Sequence, residues 1–189
     1  MSKPSKTPQP RWTAKLEHKK KLTADDAKFV FEQAEKLLKD SVETATTIIN
    51  RVATLIPIIS GIIIALTAYI FAQWYKTKVF DHILMVATLG VVYLSIVGII
   101  AYSSLLPQKY YPAGSLPFDL FADTFFLDIV PDNKRIIRYY VSEIENYQFR
   151  IIENNTINAK RWRKYKYSLS ALVAFPAFLT IAYLIVRSI

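Results

Sequence analysis

The sequence predicts an all-α integral membrane protein with three transmembrane helices and long amphipathic cytoplasmic helices. Two observations lead there. Stretches 52–75, 82–108 and 168–186 contain no Asp, Glu, Lys or Arg, and at helical rise each is long enough to cross a hydrocarbon core of about 30 Å. Hydrophobic residues make up 52% of the 189-residue chain, yet its formal net charge is +9, so the charge must be confined to the segments between the apolar runs. Cysteine is absent, which removes disulfide staples, thiolate catalysis and cysteine-ligated metal sites.

Four segments follow in order. Residues 1–22 read as a disordered basic tail; Pro4, Pro8 and Pro10 stand among Lys, Ser, Thr and Gln, with too little apolar surface to offset ordering. Residues 23–108 comprise a cytoplasmic helix and a two-span hairpin. Thr23 before Asp25 and Asp26 is a helix start with acidic residues in the first turn. Ala27, Val30, Phe31, Ala34, Leu37, Leu38, Ala45 and Ile48 recur at helical spacing, predicting a helix that runs on into span one. That span is no signal peptide, because a long segment with ten basic residues precedes it.

Residues 109–167 form the second cytoplasmic region. Pro107, Pro112, Gly114 and Pro117 punctuate its entry, and 119–130 is an amphipathic stretch that packs against protein or membrane. From 132 to 166 a single helix is expected, its stripe running through Ile137, Tyr140 or Val141, Ile144, Tyr147 and Ile151, then across Asn154 and Asn158 to Trp162, near a heptad spacing. It leads into the last segment, 168–189, which holds span three and a short far-side C-terminus.

Charge sets the expected orientation. Ten Lys/Arg lie in residues 1–50, two in the link after span one, ten between spans two and three, and Arg187 alone near the end. The positive-inside rule then places the N-terminus and the 109–167 region in the cytoplasm and the C-terminus on the far side of a bacterial inner membrane. Trp74 and Tyr75 close span one, and Trp162, Tyr165 and Tyr167 open span three, as interface anchors at headgroup depth.

Two small-residue faces are candidates for span packing. Gly61, Ala65, Ala68 and Ala72 share one face of span one, and Ala87, Gly90, Gly98 and Ala101 a comparable face of span two. Such faces allow close backbone approach in lipid. They serve either a tight intramolecular hairpin or contact between subunits of a homo-oligomer.

Conventional reaction chemistry is hard to find. His18 and His82 have no metal-ligand companions, and no nucleophile elbow, phosphate loop or dinucleotide fingerprint occurs. The expectation is a non-enzyme without metal or cofactor. Residues 1–47 and 109–167 each set seven acidic residues against ten basic ones, an excess that topology and lipid contact explain without nucleic acid. No charge lies centrally in a span, which argues against proton-coupled transport or a charged-ring filter. Glu153, Asn154, Asn158, Lys160 and Arg161 form a polar patch near the membrane end of the long helix, a candidate contact for a phosphate-bearing signal, for the first helix, for a partner or for lipid headgroups.

A cytoplasmic helix, a two-span hairpin and a long helix carrying YQFRIIENNTINAKR at 147–161 before a last span together resemble the small bacterial membrane effectors of the SLATT and Pycsar-type transmembrane groups, over roughly residues 24–186. The resemblance implies anti-phage defence by oligomerising spans that impair the membrane. The chain carries no recognisable cyclic-nucleotide domain, so the resemblance further implies a separate cytoplasmic sensor protein or sensing by the helices themselves. The competing role is a non-conducting membrane anchor that recruits a cytoplasmic protein.

Overall fold

The computed structural model describes residues 13–114 and 132–188, and all regular structure among them is α-helical. The helices are α1 (Leu16–Lys21), α2 (Ala24–Thr77), α3 (His82–Tyr102) and α4 (Asp132–Ser188). Three of them, α2, α3 and α4, are long and apolar enough to cross a membrane, so the fold is that of an all-α integral membrane protein. The expected amphipathic stretch 119–130 lies outside the described residues.

Both long helices are continuous, with 54 residues in α2 and 57 in α4. Pro57 and Pro176 lie within them without ending them. The start of α2 is a capping box. The Asp26 amide donates to Thr23 Oγ1 at 3.2 Å, while the Thr23 hydroxyl and amide donate to Asp26 Oδ2 at 2.6 and 3.2 Å, so two end donors are satisfied reciprocally.

The hairpin link between α2 and α3 needs few residues because each end closes itself. Lys78 takes a left-handed φ of 54° and returns its amide to the Trp74 carbonyl at 2.9 Å. Asp81 then caps α3 by accepting from the Leu84 amide at 2.9 Å. At the other end α3 stops at Tyr102, six residues before the predicted limit of span two at 108. The Ser103 and Ser104 hydroxyls turn back onto the Ile100 and Ala101 carbonyls, competing with further helix, and Pro107 disfavours helical backbone at Leu106. The remaining 21 residues still span about 31 Å.

The chain divides into two compact units. Unit one takes the described residues within Met1–Glu43 and Lys109–Thr156, and unit two those within Thr44–Gln108 and Ile157–Ile189.

In unit one, α2 buries Ala27, Leu38 and Ser41 and half-buries Phe31 and Ala34, while α4 buries Val141, Glu143, Tyr147 and Asn154. Phe31 packs on the rings of Tyr140 and Tyr147, with centroids 5.3 and 5.4 Å away. The buried positions of α2 follow steps of four and three, which leaves Val30 and Leu37, both read as part of the stripe, exposed about 100° away from their buried neighbours. Within the stretch read as a disordered tail, α1 forms and is tied down. Glu145 accepts from the Ala14 amide at 2.9 Å and pairs with Lys19 Nζ at 2.8 Å.

In unit two the core joins Ile48, Val52, Leu55 and Ile59 of α2 with Leu94, Val97 and Ala101 of α3 and Phe175 of α4. A smaller cluster contains Val86, Ala182 and Val186. A third of the apolar window of α3 is buried against 11% for α2 and α4, so α3 is the enclosed span. Buried positions repeat as heptads: Ala45, Ile48, Val52, Leu55 and Ile59 on α2, and Arg161, Ser168, Phe175 and Ala182 on α4. Tyr93 adds a polar tie, its ring stacked on Phe178 at 4.4 Å and its hydroxyl donating to the Ala171 carbonyl at 2.9 Å.

Candidate functional site

The five residues read as one polar patch fall into different units. Glu153 and Asn154 belong to unit one, while Asn158, Lys160 and Arg161 belong to unit two.

Asn154 is fully enclosed in unit one and is saturated by protein. Its amide group donates to Ser41 Oγ and to the Tyr111 carbonyl, each at 3.0 Å, and its carbonyl accepts from the Tyr111 amide at 3.0 Å. One side chain therefore fixes both backbone groups of Tyr111 and reaches α2. The same linker is held again where the Gly114 amide donates to Tyr147 Oη at 3.2 Å and Arg150 donates to the Pro112 and Gly114 carbonyls. Gly114 has a φ of 89°, open to glycine at little cost. Burial raises the Tyr147 phenol above its ordinary value; the Gly114 amide opposes that rise and Glu143 adds to it. Asn154 is thus a clasp with its hydrogen bonds used, and half-buried Glu153 beside it faces no comparable network among the described contacts.

A basic cleft opens in unit two where α3 ends. It encloses about 260 Å³ and is lined by Lys160, Arg161, Arg163 and Lys164 of α4 with Ser103 and Gln108. No carboxylate occurs among its described lining residues. Arg161 Nη2 donates to the Leu106 carbonyl at 2.7 Å and Lys164 Nζ to the Ser103 carbonyl at 3.2 Å, so two cations meet carbonyls just past the negative end of α3. Arg161 is only 5% exposed, as is Asn158, whereas Lys160 and Arg163 are exposed. The stripe expected to reach Trp162 is instead continued by Arg161, with Trp162 half-buried next to it. Arg163, Lys164, Ser103 and Gln108 lie outside the patch read from sequence; the run of cations at 160–166 is the signal that points to them.

Of the interface anchors, Trp162 stacks on Tyr165 at 5.3 Å and lies beneath Arg51 and Lys166 at 5.3 and 5.6 Å. Trp74 meets Phe80 edge-on, and Lys78 lies 4.5 Å from the Tyr75 ring. Tyr167 is exposed.

The two small faces are used differently. On α3, Ala87, Gly90 and Ala101 are buried, and a Cβ on Gly90 would lie 3.0 Å from Leu179 and 3.4 Å from Leu66. Gly98 is half-buried beside Ile59. On α2, Gly61, Ala65, Ala68 and Ala72 are all exposed, and nothing stands within 4 Å of a Cβ built on Gly61. The hairpin therefore uses the small face of α3 and leaves that of α2 uncovered. The hydroxyls of Thr54, Thr67, Thr88, Ser95 and Thr180 each donate to the carbonyl four residues earlier, so these five are satisfied inside their own helices.

Comparison with family models, with curated proteins and with solved structures yields no match.

Proposed function

We propose that this protein is a non-enzymatic membrane effector that assembles through its spans and perturbs a bacterial inner membrane when a signal or a cytoplasmic partner rearranges its helices. The observation that carries the reading is the uncovered face of Gly61, Ala65, Ala68 and Ala72. In lipid, small residues on an open face let a second backbone approach closely. Conduction then belongs to the assembly, because the Thr67, Thr88 and Ser95 hydroxyls within the spans are turned back onto their own backbones. The charge distribution supports a cytoplasmic N-terminus and a far-side C-terminus, and the resemblance of the layout over roughly residues 24–186 to small defence effectors supports an anti-phage role.

The test is reconstitution of the full chain in liposomes and nanodiscs. An oligomer by native mass spectrometry, together with ion or dye flux, is expected. A strictly monomeric chain whose expression leaves growth and membrane potential unchanged under activating conditions overturns the proposal.

A second reading, that of a non-conducting anchor, is favoured by Phe29 and Leu37, which are 61% and 57% exposed on the α2 part of unit one. Apolar side chains exposed outside the apolar runs offer a protein partner surface to bury. Retrieval of a stoichiometric cytoplasmic protein, with no flux from the purified chain, is what that role requires.

A further inference from the structure

We propose that the basic cleft of unit two binds the phosphodiester of an anionic lipid headgroup. The inference rests on the chain's being embedded in a membrane and is independent of whether it conducts.

Charge comes first. Four cationic side chains of α4 line a cleft of about 260 Å³, and no carboxylate stands among its described lining residues. Lys164 lies one turn on from both Lys160 and Arg161, and Arg163 flanks it. Lys164 commits one donor to the Ser103 carbonyl and has three in all. Exposed Lys160 and Arg163 offer the mobile contacts that close over an anion, and Ser103 and Gln108 add neutral polar groups.

Depth comes second. Ser103 is the residue directly after α3, whose length matches the hydrocarbon core, so the cleft opens where an apolar span gives way to polar chain. On α4 the same stretch holds Trp162 and Tyr165, with Arg51 and Lys166 over the Trp162 ring. Aromatic rings of this kind settle at headgroup level, where the phosphates of the leaflet lie. Basic pockets between spans on the cytoplasmic side are suited to such headgroups.

Size comes third. The cleft falls just short of the roughly 300 Å³ at which pockets for whole drug-sized ligands begin. It accommodates a phosphate ester with its neighbouring hydroxyl and leaves the acyl chains in the bilayer.

Native mass spectrometry of the full chain, released from nanodiscs containing equal phosphatidylglycerol and phosphatidylcholine, tests the assignment. The natural chain is expected to retain phosphatidylglycerol preferentially. Lys160→Gln with Arg163→Gln should lower that preference by about fivefold per cation removed, Lys160→Arg with Arg163→Lys should keep it, and Lys76→Gln with Lys78→Gln, two cations outside the cleft, should leave it unchanged. Circular dichroism checks that the helices persist in every variant. Preference that survives in the cleft double variant, or that falls equally in the Lys76/Lys78 control, overturns the proposal. So does saturable binding of inorganic phosphate or glycerol phosphate without any selection between the two lipids, which assigns the cleft to a soluble anion.

Discussion

Single polar residues decide how the non-helical pieces are held. Asn154 makes three hydrogen bonds from a fully buried position, and a buried polar group left without its partner costs about 1–3 kcal/mol. Asn154→Leu should therefore destabilise unit one by about 2 kcal/mol and speed amide exchange at Tyr111; unchanged exchange there would show that the linker is held by other contacts. At the α2–α3 link, Asp81→Ala removes the acceptor of the Leu84 amide and should cost about 1 kcal/mol in thermal unfolding in mild detergent. Tyr147 gives a pH dependence of definite sign. Its phenol is held above the ordinary value of 10.0, chiefly by burial, so the folded state binds the proton more tightly. The corresponding stability is fully present below pH 10.0 and is lost as pH rises through the folded value. Alkaline titration of unfolding, steeper in the natural chain than in Tyr147→Phe, measures it.

At the scale of helices, the enclosed position of α3 makes its small face the sensitive one. A Gly90→Leu side chain would drive into Leu179, Leu66 and Phe175 and should destabilise by about 1–3 kcal/mol, while Gly98→Ala, whose Cβ meets Ile59 at an ordinary 3.6 Å, should stay within about 0.5 kcal/mol. Thermal scans of the two variants in one detergent compare them directly; equal shifts would mean that the spans repack freely around α3. Much of this architecture is legible in the chain itself. Uncharged runs mark the spans, Thr23 and Asp26 announce the start of α2, and the continuity of α2 and α4 follows from helical spacing that resumes after Ser41 and across Asn154 and Asn158 without a proline or glycine before the apolar run begins. What escapes first is whatever depends on a distant partner. Trp162 is the better hydrophobe, yet Arg161 takes the buried seam position, because the Leu106 carbonyl past the end of α3 accepts from it at 2.7 Å. No local pattern reveals that acceptor. The early stop of α3 escapes for a different, local reason: serine hydroxyls turn onto the last carbonyls, a choice the continuing apolar run to 106 conceals.

For the whole molecule, the question is which of two chemically similar faces holds the chain together and which is left uncovered. Composition gives Gly61, Ala65, Ala68 and Ala72 the same standing as Ala87, Gly90, Gly98 and Ala101; only three-dimensional packing separates them, because one set is covered by α2 and α4 side chains and the other is exposed. The separation makes assembly testable without disturbing the fold. A Cβ added at Gly61 would meet nothing within 4 Å, and leucine there adds apolar surface in an apolar solvent, so Gly61→Leu with Ala68→Leu should leave thermal stability of the isolated chain within about 0.5 kcal/mol. Held apart by two bulky side chains, neighbouring backbones lose the close approach that small residues permit. The dissociation constant of the assembly, measured by dilution in nanodiscs or by energy transfer between labelled chains, should rise about tenfold or more, equivalent to about 1.4 kcal/mol, and flux should fall with it. Gly90→Leu provides the converse, a change that harms the fold before it touches assembly. Should the α2 double variant associate as tightly as the natural chain, the exposed face is lipid-facing surface, assembly must use another surface, and the effector reading loses the observation on which it stands.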